Sequence, residues 1–311
     1  ALNLREELAD LRKPSGIAGE ALLRADSVQE QRDLIGAGRK NLIINGDFKI
    51  SQRGDYTSAT AMTSSGYFVD RWRTRISNSS SGLAGTVTHS ARKIRIDCTS
   101  AGTGSLRLDQ KIEINDDVMF TDKVITLSAM VKSNDANSRL AVYTQGWHPE
   151  NAAHSGSGGW EKLSLTFNSG TLVVGNEFSI QIGIDGDSSA DLAIPTSSYV
   201  EIKEAQLELG SVATEFEHRS YGEELALCQR YYQKGNSSDL HRAFQYHPSY
   251  KGVEYTFPVE MRTTPTASYT SVGNTTIAHH LTSRSLSRYL SSATGDNTSN
   301  YIHSLTLDAE L

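Results

Sequence analysis

One stretch of this chain has the residue types to recognise a small polar ligand. It reads TQGWHPENAAHSGSGGW and holds Trp147 and Trp160 at either side of a Gly-rich centre. Sugars present C–H faces that stack on aromatic rings, and hydroxyls that amides and carboxylates read. Trp147, His148, Glu150, Asn151 and Trp160 on one exposed loop would supply both kinds of contact, and loops on a rigid scaffold are where binding residues concentrate. The plainer reading of Trp160, which opens an alternating run, is a residue at the edge of a core.

Catalytic patterns are weaker. A glycosidase needs two carboxylates at a set separation, and Asp109 with Glu113, or Asp116 with Asp117, could be nominated. However, Asp116 and Asp117 read as a turn, and Asp109 and Glu113 as outward positions of an alternating strand. There is no G-x-S-x-G, no H-E-x-x-H and no phosphate loop. The repeat of a solenoid depolymerase is missing too. Asp185, Asp187 and Asp191 in GIDGDSSAD do not match a calcium-loop pattern and read as a solvated turn. His279 and His280 are adjacent, so on a strand they face opposite ways. One histidine per chain on a threefold axis could make a metal site, but exposed positions are the plainer reading. Neither an enzyme nor a resident cofactor or metal is expected.

The elements that must position these residues change period along the chain. Asn3 with Glu6, and Ser27 with Glu30, form capping boxes for two short helices. Leu4, Leu8 and Leu11 give the first one narrow apolar stripe, which cannot bury itself alone. From Asn41 the period becomes two. Ile94, Ile96 and Cys98 alternate in RKIRIDC, Leu106, Leu108, Ile112 and Ile114 in SLRLDQKIEI, and Ile125, Leu127, Ala129 and Val131 in KVITLSAMVKS. Turn clusters such as SNDANS separate the runs, a pattern of short antiparallel strands in a sandwich or jelly roll. Ser220 with Glu223 forms a third capping box, opening a helix from Tyr221 to about Gln233 with Leu225, Cys228 and Tyr232 on its stripe. Val212 and Phe216 read as packing residues, and Glu217, His218 and Arg219 as an ion-paired corner. The chain is then β again, with too few residues for a large core of its own.

Composition narrows the function classes. A net charge of −6 and hydrophobic content of 37% argue against a nucleic-acid footprint and against a large dry core. Two cysteines make no disulfide framework, and Cys98 reads as a buried free thiol. No apolar run reaches the length of a membrane span, and no signal peptide is visible. The chain opens at Ala1 without Met, as a processed or truncated product would.

KNLIINGDFKISQRG with GYFVDRW, and later AQLELGSVATEFEHRSYGEELALCQRYYQ with FPVEMRTTPT, resemble phage tail-fibre and receptor-binding proteins. In that group a jelly roll like a carbohydrate-binding module is followed by the same helix and a β tip. The resemblance runs from Lys40 onward, and LREELAD and DSVQEQRDLIGAG look like tail-fibre connectors. It implies a homotrimeric virion protein that contacts the host surface. NLIINGDF also resembles the opening of modules that hold a structural calcium, which would make Asp47 and Glu201 possible ligands. Those modules carry an acidic residue after the Phe, whereas Lys49 stands here. Trp72, in DRW, reads as core, with Asp70 and Arg71 pairing nearby.

The expected architecture is therefore mainly β. Residues 1–39 form a helical connector for trimerisation and attachment to other virion proteins, and 40–219 an antiparallel jelly-roll β-sandwich. Residues 220–235 form a linking helix, and 236–311 a small C-terminal β tip. The expected function is adsorption of a phage tail fibre or appendage to the host surface by multivalent glycan binding. The expected partners are the chain itself as a homotrimer, other virion proteins and a host glycan, with no nucleic acid and no membrane insertion. A structural fibre or neck component with the sandwich as spacer, or a polysaccharide-degrading glycosidase, are the alternatives.

Overall fold

The computed structural model describes residues 40–63, 66–77, 82–90, 92–114, 121–144, 147–148, 152–170, 178–185, 193–236, 242–247, 250–272, 277–291 and 301–310. The expected N-terminal helices lie outside them. The strands of the first part are β1 (Thr60–Ala61), β2 (Arg73–Ser77), β3 (Ala84–Ser90), β4 (Lys93–Ser100), β5 (Gly102–Thr103), β6 (Ser105–Lys111) and β7 (Val124–Ser133). They continue with β8 (Ser138–Thr144), β9 (Trp147–His148), β10 (Trp160–Asn168), β11 (Phe178–Asp185), β12 (Ala193–Ile194) and β13 (Tyr199–Leu209). Two antiparallel sheets face each other: six strands in the order β1-β3-β4-β13-β7-β10, and five in the order β2-β6-β11-β8-β9. The fold is the antiparallel jelly-roll sandwich that the period of two predicts.

Alternation decides which side chains enter the core. Ile94, Ile96 and Cys98 of β4, Ile125, Leu127, Ala129 and Val131 of β7, and Leu106 and Leu108 of β6 are all buried between the sheets. Cys98 is a free thiol, as expected. Trp72 is fully buried, stacks at a tilt on Phe48, and donates its indole N–H to the carbonyl of Asn45 at 2.9 Å.

Residues 41–50 carry no strand, so their polar groups need other partners. Asn41 lies beside the bulge of β13. It donates to Ala205 O at 3.0 Å, and its Oδ1 accepts from the amides of Ile43 and Leu207 at 3.0 and 3.1 Å. Asn45, with φ 61°, bonds both backbone groups of Ile50 and the carbonyl of Asp70. A Cβ on Gly46 would sit 2.2 Å from Ala205 O, so only glycine lets the segment approach the sheet.

After the sandwich comes helix α1 (Tyr221–Gln229), then β14 (Tyr232–Asn236), β15 (Arg242–His247), β16 (Tyr250–Thr256), β17 (Thr266–Val272), β18 (Ile277–Leu281), β19 (Ser285–Ser291) and β20 (Tyr301–Asp308). Ser220 caps α1, its hydroxyl accepting from Glu223 N at 3.2 Å. The helix is shorter than predicted: Tyr232 and its successors leave it to pair with β20. Its buried residues are Glu224 and Cys228, while Leu225 is only half-buried. Glu224 turns inward because Asn45 N donates to it at 2.6 Å and Arg219 lies 3.2 Å away. The ion-paired corner exists, with Arg219 between Glu217 and Glu224 and donating to the carbonyls of Asn41 and Ile43. His218 instead packs edge-on against Phe216, and Val212 is 68% exposed rather than packed.

Beyond α1, sheets β14-β20-β17 and β15-β16-β19-β18 carry a small core of Phe257, Met261, Leu286, Leu305, Leu307 and Ala309. Charge docks this part on the sandwich. Arg71 does not pair with Asp70, as the sequence suggests; Asp70 accepts from Gln52, and the Arg71 guanidinium reaches Glu310. Arg71 also donates to Lys111 O at 2.6 Å and lies 3.6 Å over the ring of Tyr231. Arg53 reaches Glu310 at 2.9 Å and Asp308 at 3.2 Å, and lies 3.9 Å over Tyr232. Burial pushes the Tyr231 phenol up to about 12. Arg71 and Glu310 have side-chain exposures of 1% and 4%. Glu310→Ala therefore strands a buried guanidinium, and the unfolding free energy from denaturant titration is expected to fall by about 3–5 kcal/mol.

Candidate functional site

The outer face of the five-stranded sheet is built from the residues that alternate with its core. Leu106, Leu108, Ile180, Ile182, Ile184, Leu140 and Val142 point inward. Arg73, Arg75, Arg107, Asp109, Lys111, Gln181, Asp185, Arg139 and Tyr143 occupy the opposite parity. Register sorts them into rows across the strands. One row runs Arg75, Arg107, Gly183, Arg139 over β2, β6, β11 and β8; its neighbour runs Arg73, Asp109, Gln181, Ala141. A third joins Lys111, Ser179, Tyr143 and Trp147 over β6, β11, β8 and β9.

Two ion pairs organise this face. Asp109 is buried, with Arg73 Nε and Nη2 on its two oxygens at 3.0 and 2.5 Å. Arg107 donates to the Gln181 carbonyl oxygen and, at 3.1 Å, to Asp185. Burial, together with the like charges of Arg75 and Arg139, holds the Arg107 guanidinium below its ordinary range although Asp185 works the other way. Gly183 carries no side chain in the row. A Cβ there would fall 2.2 Å from Leu106 O and 2.6 Å from Arg107 Cα, so the backbones approach too closely for any side chain.

The predicted ligand residues are divided by the fold. Trp147 and His148 form β9, the edge strand of the five-stranded sheet, opposite Tyr143 and Val142. Trp160 opens β10, the edge strand of the six-stranded sheet, opposite Lys132; it is 38% exposed, with Lys203 Nζ 4.9 Å from the ring centroid. Trp160 is thus a surface residue and not an edge of the core. Glu150 and Asn151 lie outside the described residues. The Gly-rich part between is a tied loop that crosses from one sheet to the other. His154 is buried, its Nδ1 accepting from Gly156 N at 2.9 Å and its Nε2 3.0 Å from Gly159 O. Glu161 accepts from the Ser155 hydroxyl, from Ser155 N at 3.0 Å and from the Ser157 hydroxyl at 2.9 Å.

Each calcium candidate faces a cation. Lys49 Nζ lies 3.2 Å from Asp47 and donates to Arg219 O at 2.5 Å, so an ammonium occupies the neighbourhood where a metal would sit. Glu201 is met by Lys93 at 2.6 Å and Arg95 at 3.1 Å. Burial opposes its charge, but these bonds hold it below the ordinary carboxylate range. Among the described residues no group of three ligating side chains could hold a metal ion. The nominated catalytic pair is not poised either: Asp109 is buried under Arg73 rather than pointing free to solvent, and Glu113 takes Arg230 at 3.1 Å and the Tyr231 hydroxyl at 2.7 Å. Asp116, Asp117, Asp187 and Asp191 lie outside the described residues, and His279 and His280 sit on β18 opposite Arg288 and Ser287.

No family model and no curated protein matches the chain. Solved structures do. A structure described as CBM4 is 13% identical over 53% of this chain and 98% of its own, with a TM-score of 0.31. A family 11 carbohydrate-binding module of a cellulosomal cellulase from Clostridium thermocellum is 13% identical over 54% of this chain and 96% of its own, TM-score 0.25. The tripod from the baseplate of bacteriophage Tuc2009 is 13% identical over 82% of this chain and 98% of its own, TM-score 0.29. The sandwich stands on the strand order above and not on these likenesses.

This loop supplies a pH prediction. Hydrogen bonds from the Ser155 hydroxyl and amide, then from Ser157, hold the exposed Glu161 carboxyl down to about 2 from 4.5. A depressed carboxyl binds its proton less readily folded than unfolded, so its contribution is complete above pH 4.5 and lost as pH falls towards 2. Amide protection at Ser155 and Ser157, measured relative to the intrinsic exchange rate, is expected to fall through that window, and Glu161→Gln to remove the pH dependence.

Proposed function

We propose that the chain is a phage tail-fibre or appendage protein that adsorbs to the host surface by multivalent glycan binding, without cleaving the polymer. The observation that carries this reading is the outer face of the five-stranded sheet. It lays ordered guanidiniums on the rows beside Tyr143, with Trp147 opposite in register at the sheet edge. Planar guanidiniums and amides read hydroxyls, and aromatic rings take C–H faces. The phage setting is supported by the sequence motifs from Lys40 onward. Those motifs supply the hub that joins sandwich to helix: Asn41, Asn45, Trp72, Arg219 and Glu224 bond one another's backbone or side chains. The same resemblance supports a homotrimer, attached to other virion proteins through residues 1–39.

Three sites on one fibre, and several fibres on one particle, let a weak single site (Kd of ~1 mM, about −4 kcal/mol) hold a virion. Purified protein is expected to have the mass of three chains by light scattering and to bind host cells. Tyr143→Ala and Trp147→Ala should each weaken cell binding about tenfold or more without changing that mass, and the viscosity of host polysaccharide should be unchanged by incubation. A trimer that does not bind cells would leave the sandwich as a spacer.

A further inference from the structure

We infer that the outer face of the five-stranded sheet binds an anionic saccharide, one that carries a carboxylate or a phosphate, through the row Arg75, Arg107 and Arg139. This rests on the glycan-binding reading and specifies its ligand class. Three arginines share one row across four neighbouring strands. Adjacent strands are about 4.8 Å apart, so Arg75 and Arg107 are direct neighbours, and Arg107 and Arg139 stand about 10 Å apart on either side of Gly183. Like charges opposite one another in a sheet are destabilising. Nothing in core packing asks for them here, because the inward faces of these strands are already filled by Ile76, Leu106, Ile184 and Leu140.

The local charge count points the same way. Five cations (Arg73, Arg75, Arg107, Lys111 and Arg139) share the face with two carboxylates, Asp109 and Asp185, on a chain whose net charge is −6. Those carboxylates are taken by Arg73 and Arg107. Arg139 donates only to the backbone and side-chain oxygens of Asn137, and no ion pair forms at Arg75 among the described residues. Both are half-buried, which places their guanidiniums partly out of water but within reach of a ligand. A guanidinium presents donors in a planar fork that matches a carboxylate or a phosphate two oxygens at a time.

The test is calorimetric titration of the full chain with trigalacturonate, a glycerol phosphate trimer and maltotriose. Trigalacturonate or the phosphate trimer is expected to bind, and whichever does identifies the anion as carboxylate or phosphate. That affinity should fall roughly tenfold or more between low salt and 0.5 M NaCl, as screening of an ion pair requires. Arg75→Gln with Arg139→Gln should abolish it while leaving the unfolding midpoint in place, since neither arginine carries a buried ion pair. Maltotriose binding as tightly as the anions, insensitive to salt and to the double variant, would overturn the anionic assignment and leave glycan recognition standing. No heat from any of the three probes, with cell binding also lost, would overturn both.

Discussion

The rest of the structure depends on satisfying the backbone of residues 41–50, a buried segment with no strand partner. Unpaired amides and carbonyls in that position would cost about 1–3 kcal/mol each. Asn41 and Asn45 replace the missing ladder with their side-chain amides, and Gly46 allows the approach to β13 that makes this geometry possible. Arg219 and Glu224 then close the arrangement from the far side of the sandwich, so the direction of helix α1 is set by the same hydrogen bonds that close the core. Because Trp72 donates to Asn45 O, the largest side chain of the core is held by this segment too. Docking of the second β part follows from the helix direction, since Tyr231 and Tyr232 emerge from it onto Arg71 and Arg53.

Much of this was legible in the sequence where the rule is local. The alternation in RKIRIDC and KVITLSAMVKS placed their apolar residues correctly, and the Ser220 cap was readable from its spacing to Glu223. What failed was non-local. Helix α1 has too few residues to bury a stripe of its own, so the stripe through Leu225 and Tyr232 was overridden by pairing of Tyr232 with β20. Likewise Asp70 and Arg71 are neighbours of opposite charge, but Arg71 takes the left-handed φ of 70° and its side chain goes to Glu310.

The candidate site shows the same division. Each of Arg75, Arg107 and Arg139 occupies a polar position of a strand whose alternation is plain. Nothing local says that β2, β6, β11 and β8 are neighbours in that order, or that their registers set the three in one line. The aromatic loop is visible because its residues are contiguous, but the strands they join are not: Trp147 and Trp160 lie on the edge strands of the two facing sheets.

The pairing of Arg71 with Glu310 has a consequence for biosynthesis. The two residues are 239 positions apart, and Asn45 and Glu224 are 179 apart. A ribosome that has delivered the whole sandwich has not yet delivered the carboxylate that neutralises its interior guanidinium. At about 5–20 residues per second the nascent chain waits many seconds with that charge unpaired. Completion of the sandwich thus waits until Glu310 has been made, in a topology already rich in distant contacts and therefore slow to form.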